Sequence, residues 1–157
     1  MGLEKLGWLA NTPLGMWVIS SAAIWPTLEC IHFVSLCFFM GGMLVIDLRL
    51  TGFYREPSTG LIDRLLRLVL GAFLVNFTTG VMFFAGNATK YIDNPAFELK
   101  LSLIILAGLN ALYFRFRLSH LLATDGVTGV SKFVGYFSLL LWAGVIVCGR
   151  MITFFAR

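Results

Sequence analysis

Charge is scarce in this chain. Asp, Glu, Lys and Arg make up 13% of its 157 residues and hydrophobic residues 59%. That excludes an ordinary soluble domain, whose surface calls for about 25% charged residues. Cysteine numbers three, and Cys30, Cys37 and Cys148 all lie within apolar runs. Thiols there act as small core residues, so a disulfide framework is not expected. Segments of ~10 residues with alternating polarity, separated by turns, are missing, which excludes an outer-membrane barrel. The N-terminus, MGLEKLGWLANTPLG, has no basic region followed by a continuous apolar core, so no cleavable signal peptide is expected. There is no internal repeat, low-complexity tract or composition break, and residues 1–157 read as one membrane domain. The net charge of +4 rests on basic residues that flank apolar runs, a placement that argues against a nucleic-acid partner.

What the chain has instead is apolar helix, organised around WPTLECIHFVSLCFFMGGMLVIDLR, Trp25 to Arg49. Pro26 suits a first helical turn, and from Cys30 to Ile46 no side chain carries a fixed charge. Three further apolar stretches follow. The expected fold is an all-α integral membrane protein, a bundle of four transmembrane helices at about 26–50, 62–87, 95–115 and 132–155. Residues 1–24, with Trp8, Trp17 and Trp25 spaced around Pro13, predict one or two short helices lying in the membrane interface. Arg49, Arg55, Arg64 and Arg67 flank the first loop and Arg115, Arg117 and Lys132 the third, whereas the second carries Lys90 against Asp93 and Glu98. By the positive-inside rule the first and third loops are cytoplasmic and both termini lie outside.

That orientation gives the polar residues a depth. Glu29, His32, Leu36, Met40, Met43 and Asp47 follow steps of three or four and share one helix face. Glu29 and His32, Lys100, and Arg150 all fall in the outer third of their spans, roughly 6–10 Å below the boundary at ~1.5 Å per residue. Ionisable groups at such depth pair with one another or serve a site. Lys100 and Arg150 taken singly are equally compatible with snorkelling to the headgroups. His32 cannot snorkel, and its alternative is a hydrogen-bonded core histidine. His120 lies at the far end of span three and reads as an interface residue. Asn76, Thr78, Thr79 and Gly80 form a second polar cluster, read first as helix packing.

Two cofactors suit an imidazole among cations. Haem b would take His32 as its axial metal ligand, Lys100 and Arg150 as propionate partners and Glu29 as a proton or orientation partner. Asn76 would serve as a distal donor, and Gly41, Gly42 and Gly80 would give room for the macrocycle. Copper would instead use His32, Cys37, Met40, Met43 and Cys148 or Met151. Buried cations disfavour a second cation, so haem is preferred.

The segments WPTLECIH, GGMLVIDLRL, YIDNPAFELK, LAGLNAL and SLLLWAGVIVCGR together resemble an uncharacterised bacterial family of small four-helix inner-membrane proteins. More distantly, the first span is similar to the four-helix membrane protoporphyrinogen IX oxidase that carries haem b, and to copper-resistance D-type membrane proteins. In the oxidase group a histidine in the first helix and a lysine early in the third are functional, and His32 and Lys100 match them. Phe39-Met40-Gly41-Gly42 and Asp47 depart from the oxidase pattern, so the resemblance implies the haem site and not the oxidase activity. The function expected is membrane electron transfer or a redox reaction, with a redox partner or quinone. The alternatives are a copper transporter or chaperone and a non-catalytic structural subunit. Many glycines in a small bundle also suggest a homo-oligomer.

Overall fold

The computed structural model describes residues 4–53, 59–118 and 127–155. A 3₁₀ helix, Glu4–Asn11, is followed by α1 (Pro13–Ile19), α2 (Ile24–Leu50), α3 (Thr59–Gly86), α4 (Ala88–Ile92), α5 (Pro95–Tyr113) and α6 (Gly129–Phe155). A π turn, Phe114–Leu118, extends α5. Four of these helices are long and apolar enough to cross a membrane, and no strand occurs among the described residues. The protein is an all-α membrane bundle.

Helix ends follow local chemistry. Asn94 caps α5, its Oδ1 accepting from the Ala96 N–H at 3.1 Å, with Pro95 at the first helical position. α2 starts at Ile24, two residues before the expected boundary, and Pro26 falls in its first turn, where no backbone donor is needed. α2 stops in a Schellman turn: Gly52 adopts φ of 81°, and the N–H groups of Gly52 and Phe53 reach Arg49 O and Leu48 O, each at 3.0 Å. Expected span ends at 62, 87 and 132 lie within three residues of the observed 59, 86 and 129.

α2 is central. It packs on α3 along one side and on α6 along another, and α5 completes the bundle against α6. Gly42 leaves no space for a Cβ against Val69 of α3, and Phe39 meets Trp142 of α6 edge to face at 4.6 Å. Outward faces carry Phe38, Leu70, Ile105 and Leu140, all exposed, as a lipid-facing surface requires. Lipid is as apolar as the core, so close packing and interhelical hydrogen bonds, each worth roughly 0.6–1.7 kcal/mol, supply the cohesion. Four such bonds reach backbone carbonyls: Asn76 to His32 at 2.8 Å, Asn94 to Ile152 at 2.9 Å, Asn110 to Val134 at 3.2 Å and Ser131 to Leu50 at 3.2 Å.

The N-terminal segment forms the two expected short helices and leaves Trp8 and Trp17 exposed. It also covers the end of the bundle. Val18 is fully buried beside Gly86, and the 3₁₀ helix packs on α4.

Candidate functional site

His32 lies two turns into α2, half-buried, at the end of the bundle where the termini lie. Its Nδ1 is 2.7 Å from Thr79 Oγ1 on α3. The Thr79 hydroxyl is also within 3.0 Å of Val75 O and 2.9 Å of Asn76 O. Where its single hydrogen goes to one of these carbonyls, Nδ1 carries the proton in the histidine–threonine bond. Nε2 then keeps its lone pair. A histidine whose second nitrogen is held by a hydrogen bond is the arrangement of oriented metal ligands.

The surroundings are small and aromatic. A Cβ on Gly80 would stand 3.8 Å from His32 Cε1, so a glycine borders the ring. Phe83 meets the imidazole edge-on at 5.5 Å and Trp25 lies 4.9 Å beyond it. Asn76 Nδ2 donates both hydrogens, to His32 O and to Ser35 Oγ at 3.2 Å. Its amide nitrogen therefore holds α3 to α2 and is not available as a distal donor.

Lys100 comes from α5. The Asn94 cap, tied to Ile152 of α6, sets the register that lays Lys100 Nζ 3.4 Å from the position of a Cβ on Gly149. Its ammonium interacts electrostatically with the His32 ring. Lys100 is half-buried and has no hydrogen-bond or ion-pair partner among the described residues. The two groups that the sequence placed at one depth lie within electrostatic reach of each other.

Glu29 and Arg150 stand further out. Glu29 is exposed, and its carboxylate accepts from Trp25 Nε1 at 3.0 Å. Arg150 is exposed and reaches only Thr153, at 3.5 Å on its own helix. Tyr91 of α4 was not expected here. Burial, and secondarily the charge of Glu29, push its phenol above its ordinary value. Stacked Phe84 and Phe97, 5.4 Å apart, join α3 to α5 beside it. Tyr91 stood in a loop sequence with no periodicity to flag it.

The expected copper ligands disperse: Met43 packs in the core, Cys37 is exposed and Cys148 is buried on α6. Among the described residues no three His, Cys, Asp or Glu side chains converge as for a metal ion. His120 lies outside the described residues. Gly41 borders open space and Gly42 is a packing contact, so of the three glycines only Gly80 adjoins His32. An apolar groove of about 590 Å³ runs between α2 and α3, lined by Cys30, Val34, Phe38, Gly71 and Val75. His32 does not line it, so this groove is separate from the polar site.

The fold and site define an all-α integral membrane bundle in which a partly buried histidine, held by Thr79, lies within electrostatic reach of a half-buried lysine. Within that class the chain belongs to a family of unknown function (DUF6644), whose model matches residues 6–155. No significant match was found among curated proteins or solved structures.

Proposed function

We propose that the terminal end of the bundle holds haem b for electron transfer or a membrane redox reaction, with His32 as the axial ligand. The observation that carries this reading is the bond between His32 Nδ1 and Thr79 Oγ1: with Nδ1 donating in it, Nε2 beside Gly80 keeps the lone pair that haem iron would take. Bound there, the haem would supply one-electron chemistry. The chain's own residues supply the rest. Thr79 orients the imidazole, Gly80 and Gly149 keep the adjoining helix faces flat, and Phe83 with Trp25 excludes water from the ring. Lys100 is the propionate partner, which accounts for a buried cation that is otherwise unmatched. Arg150 would meet a propionate reaching the boundary, and Glu29, near Tyr91, is the proton partner at the mouth. A quinone or a membrane redox protein is the natural electron partner.

The dispersed sulfur ligands make copper handling the weaker reading. A structural subunit has one observation in its favour, the use of Asn76 to clamp α3 to α2. The arginine distribution supports insertion in the bacterial inner membrane with both termini periplasmic.

Purification from cells with ample haem supply tests the function. We expect a Soret band that changes on reduction with dithionite and survives His120→Ala. A colourless protein would sink the haem reading, and copper in that protein, lost with Met40 and Met43, would favour the alternative.

A further inference from the structure

The opposite end of the bundle holds a second polar feature that a haem site does not use. Asp47 of α2 is only 2% exposed, and its Oδ2 is buried with no hydrogen-bond partner among the described residues. Ser138 of α6, also buried, is a polar side chain that acts on its carboxyl. One turn further along α6, the buried Trp142 Nε1 also lacks a partner. Two unpaired buried polar groups thus lie along one helix seam, in a region where unpaired polar atoms are costly.

The seam has a direction. α6 approaches α2 so closely at Gly135 that a Cβ there would stand 2.8 Å from Asp47 O and 3.1 Å from Thr51 Cγ2. One turn nearer the loop end lie Thr51, 7% exposed, and Ser131, fully buried, whose hydroxyl donates to Leu50 O. Ser131 in turn bonds Thr128, which is partly exposed. Buried hydroxyls thus line the seam between the α6 N-terminus and Asp47, Ser131 turned to the Leu50 and Thr128 carbonyls and Thr51 to Leu48 O at 2.8 Å. Around this seam the core is otherwise mostly apolar, Asn110 of α5 on Val134 O being a further polar contact.

Among the described residues no cation reaches the unpartnered Oδ2. Arg49 is half-exposed, while Lys132 on α6, Arg64 and Arg67 on α3, and Arg115 and Arg117 after α5 are exposed. Asp47 also sits in the last turn of α2, where the backbone carbonyls present partial negative charge. An isolated carboxylate in that setting is strongly disfavoured against the neutral acid.

We propose that Asp47 is a proton-binding site of the membrane interior, a neutral carboxylic acid that exchanges its proton with the loop-end aqueous phase along Thr128, Ser131 and Thr51. The ligand is the proton. A metal cation would need several oxygen ligands around Oδ2, and among the described residues no group of three His, Cys, Asp or Glu side chains gathers to hold one.

Two measurements on purified full-length protein in lipid nanodiscs test this. The first uses wild type alone. A hydrophobic carbodiimide reacts with a protonated buried carboxyl: the acid O–H adds across one C=N bond, and the O-acylisourea rearranges by acyl transfer to a stable N-acylurea. Nothing leaves, so the product keeps the whole reagent mass. We expect one adduct mapping to Asp47 at neutral pH and fading as the solution is made alkaline. No adduct on Asp47, or an adduct blocked by sodium at constant pH, would overturn the proposal, the second outcome in favour of a cation site. The infrared spectrum then tests access. A carboxylic C=O band absent from Asp47→Asn should shift promptly in deuterium oxide, and Ser131→Ala should slow that shift several-fold. A band that never shifts would mark a sealed structural acid and defeat the exchange claim.

Discussion

At the scale of single residues, the site turns on which nitrogen of His32 is free. Thr79 Oγ1 engages Nδ1 and has two backbone carbonyls for its own hydrogen, an arrangement in which Nδ1 donates and Nε2 is the nitrogen a haem iron would take. Thr79→Val preserves shape and removes the acceptor. We expect haem affinity to fall by about 10–100-fold, the usual cost of losing the partner that orients a ligating histidine; unchanged affinity in a haem titration would remove the orienting role. Lys100 gives a sharper expectation, because its effect changes sign with the cofactor. Without haem it is a half-buried cation lacking a partner, and Lys100→Met should stabilise the bundle by roughly 1–3 kcal/mol. With haem the same change should weaken cofactor retention. Thermal unfolding in detergent with and without haem reads both, and a silent variant in both would mean that Lys100 snorkels.

At the scale of helices, boundaries and packing partners were legible to different degrees. Pro95, Pro26 and the uncharged run from Cys30 to Ile46 announced their helices because capping and lipid solvation act locally. The meeting of His32 with Lys100 was legible only as a shared depth, since rotation about a helix axis depends on contacts such as Gly149 against Lys100 and Gly42 against Val69. Asp47 was visible as one more residue on a stripe, but nothing in the sequence announced that Gly135 would close over it. Asn94 was read as loop, yet it caps α5 and clamps it to α6. Losing the cap costs about 0.5–2 kcal/mol, and the interhelical bond roughly 0.6–1.7 kcal/mol. Asn94→Ala should therefore lower the thermal midpoint and loosen Lys100; an unshifted melt would show that the aromatic contacts of Phe84 and Phe97 suffice.

At the scale of the molecule, the four spans bring both ends of the described chain to one side, and the N-terminal helices close that end over α3 and α4. A Cβ on Gly15 would lie 2.5, 2.7 and 2.9 Å from three backbone carbonyl oxygens, those of Leu9, Ala85 and Ala10. Gly15→Ala should detach this cover and expose the segment to limited proteolysis in detergent, while a protease-resistant variant would mean that the cover can shift as a unit.

The ligation of His32 is open to the most direct measurement. His32→Ala, purified with ample haem supply, should lose the Soret band of the wild type while remaining a folded, membrane-inserted protein, because one small cavity does not undo four apolar spans. Added imidazole should then restore the band by occupying the vacated place next to Gly80. A full Soret band in His32→Ala without imidazole, or its absence from the wild type, would contradict the assignment of His32 as the axial ligand.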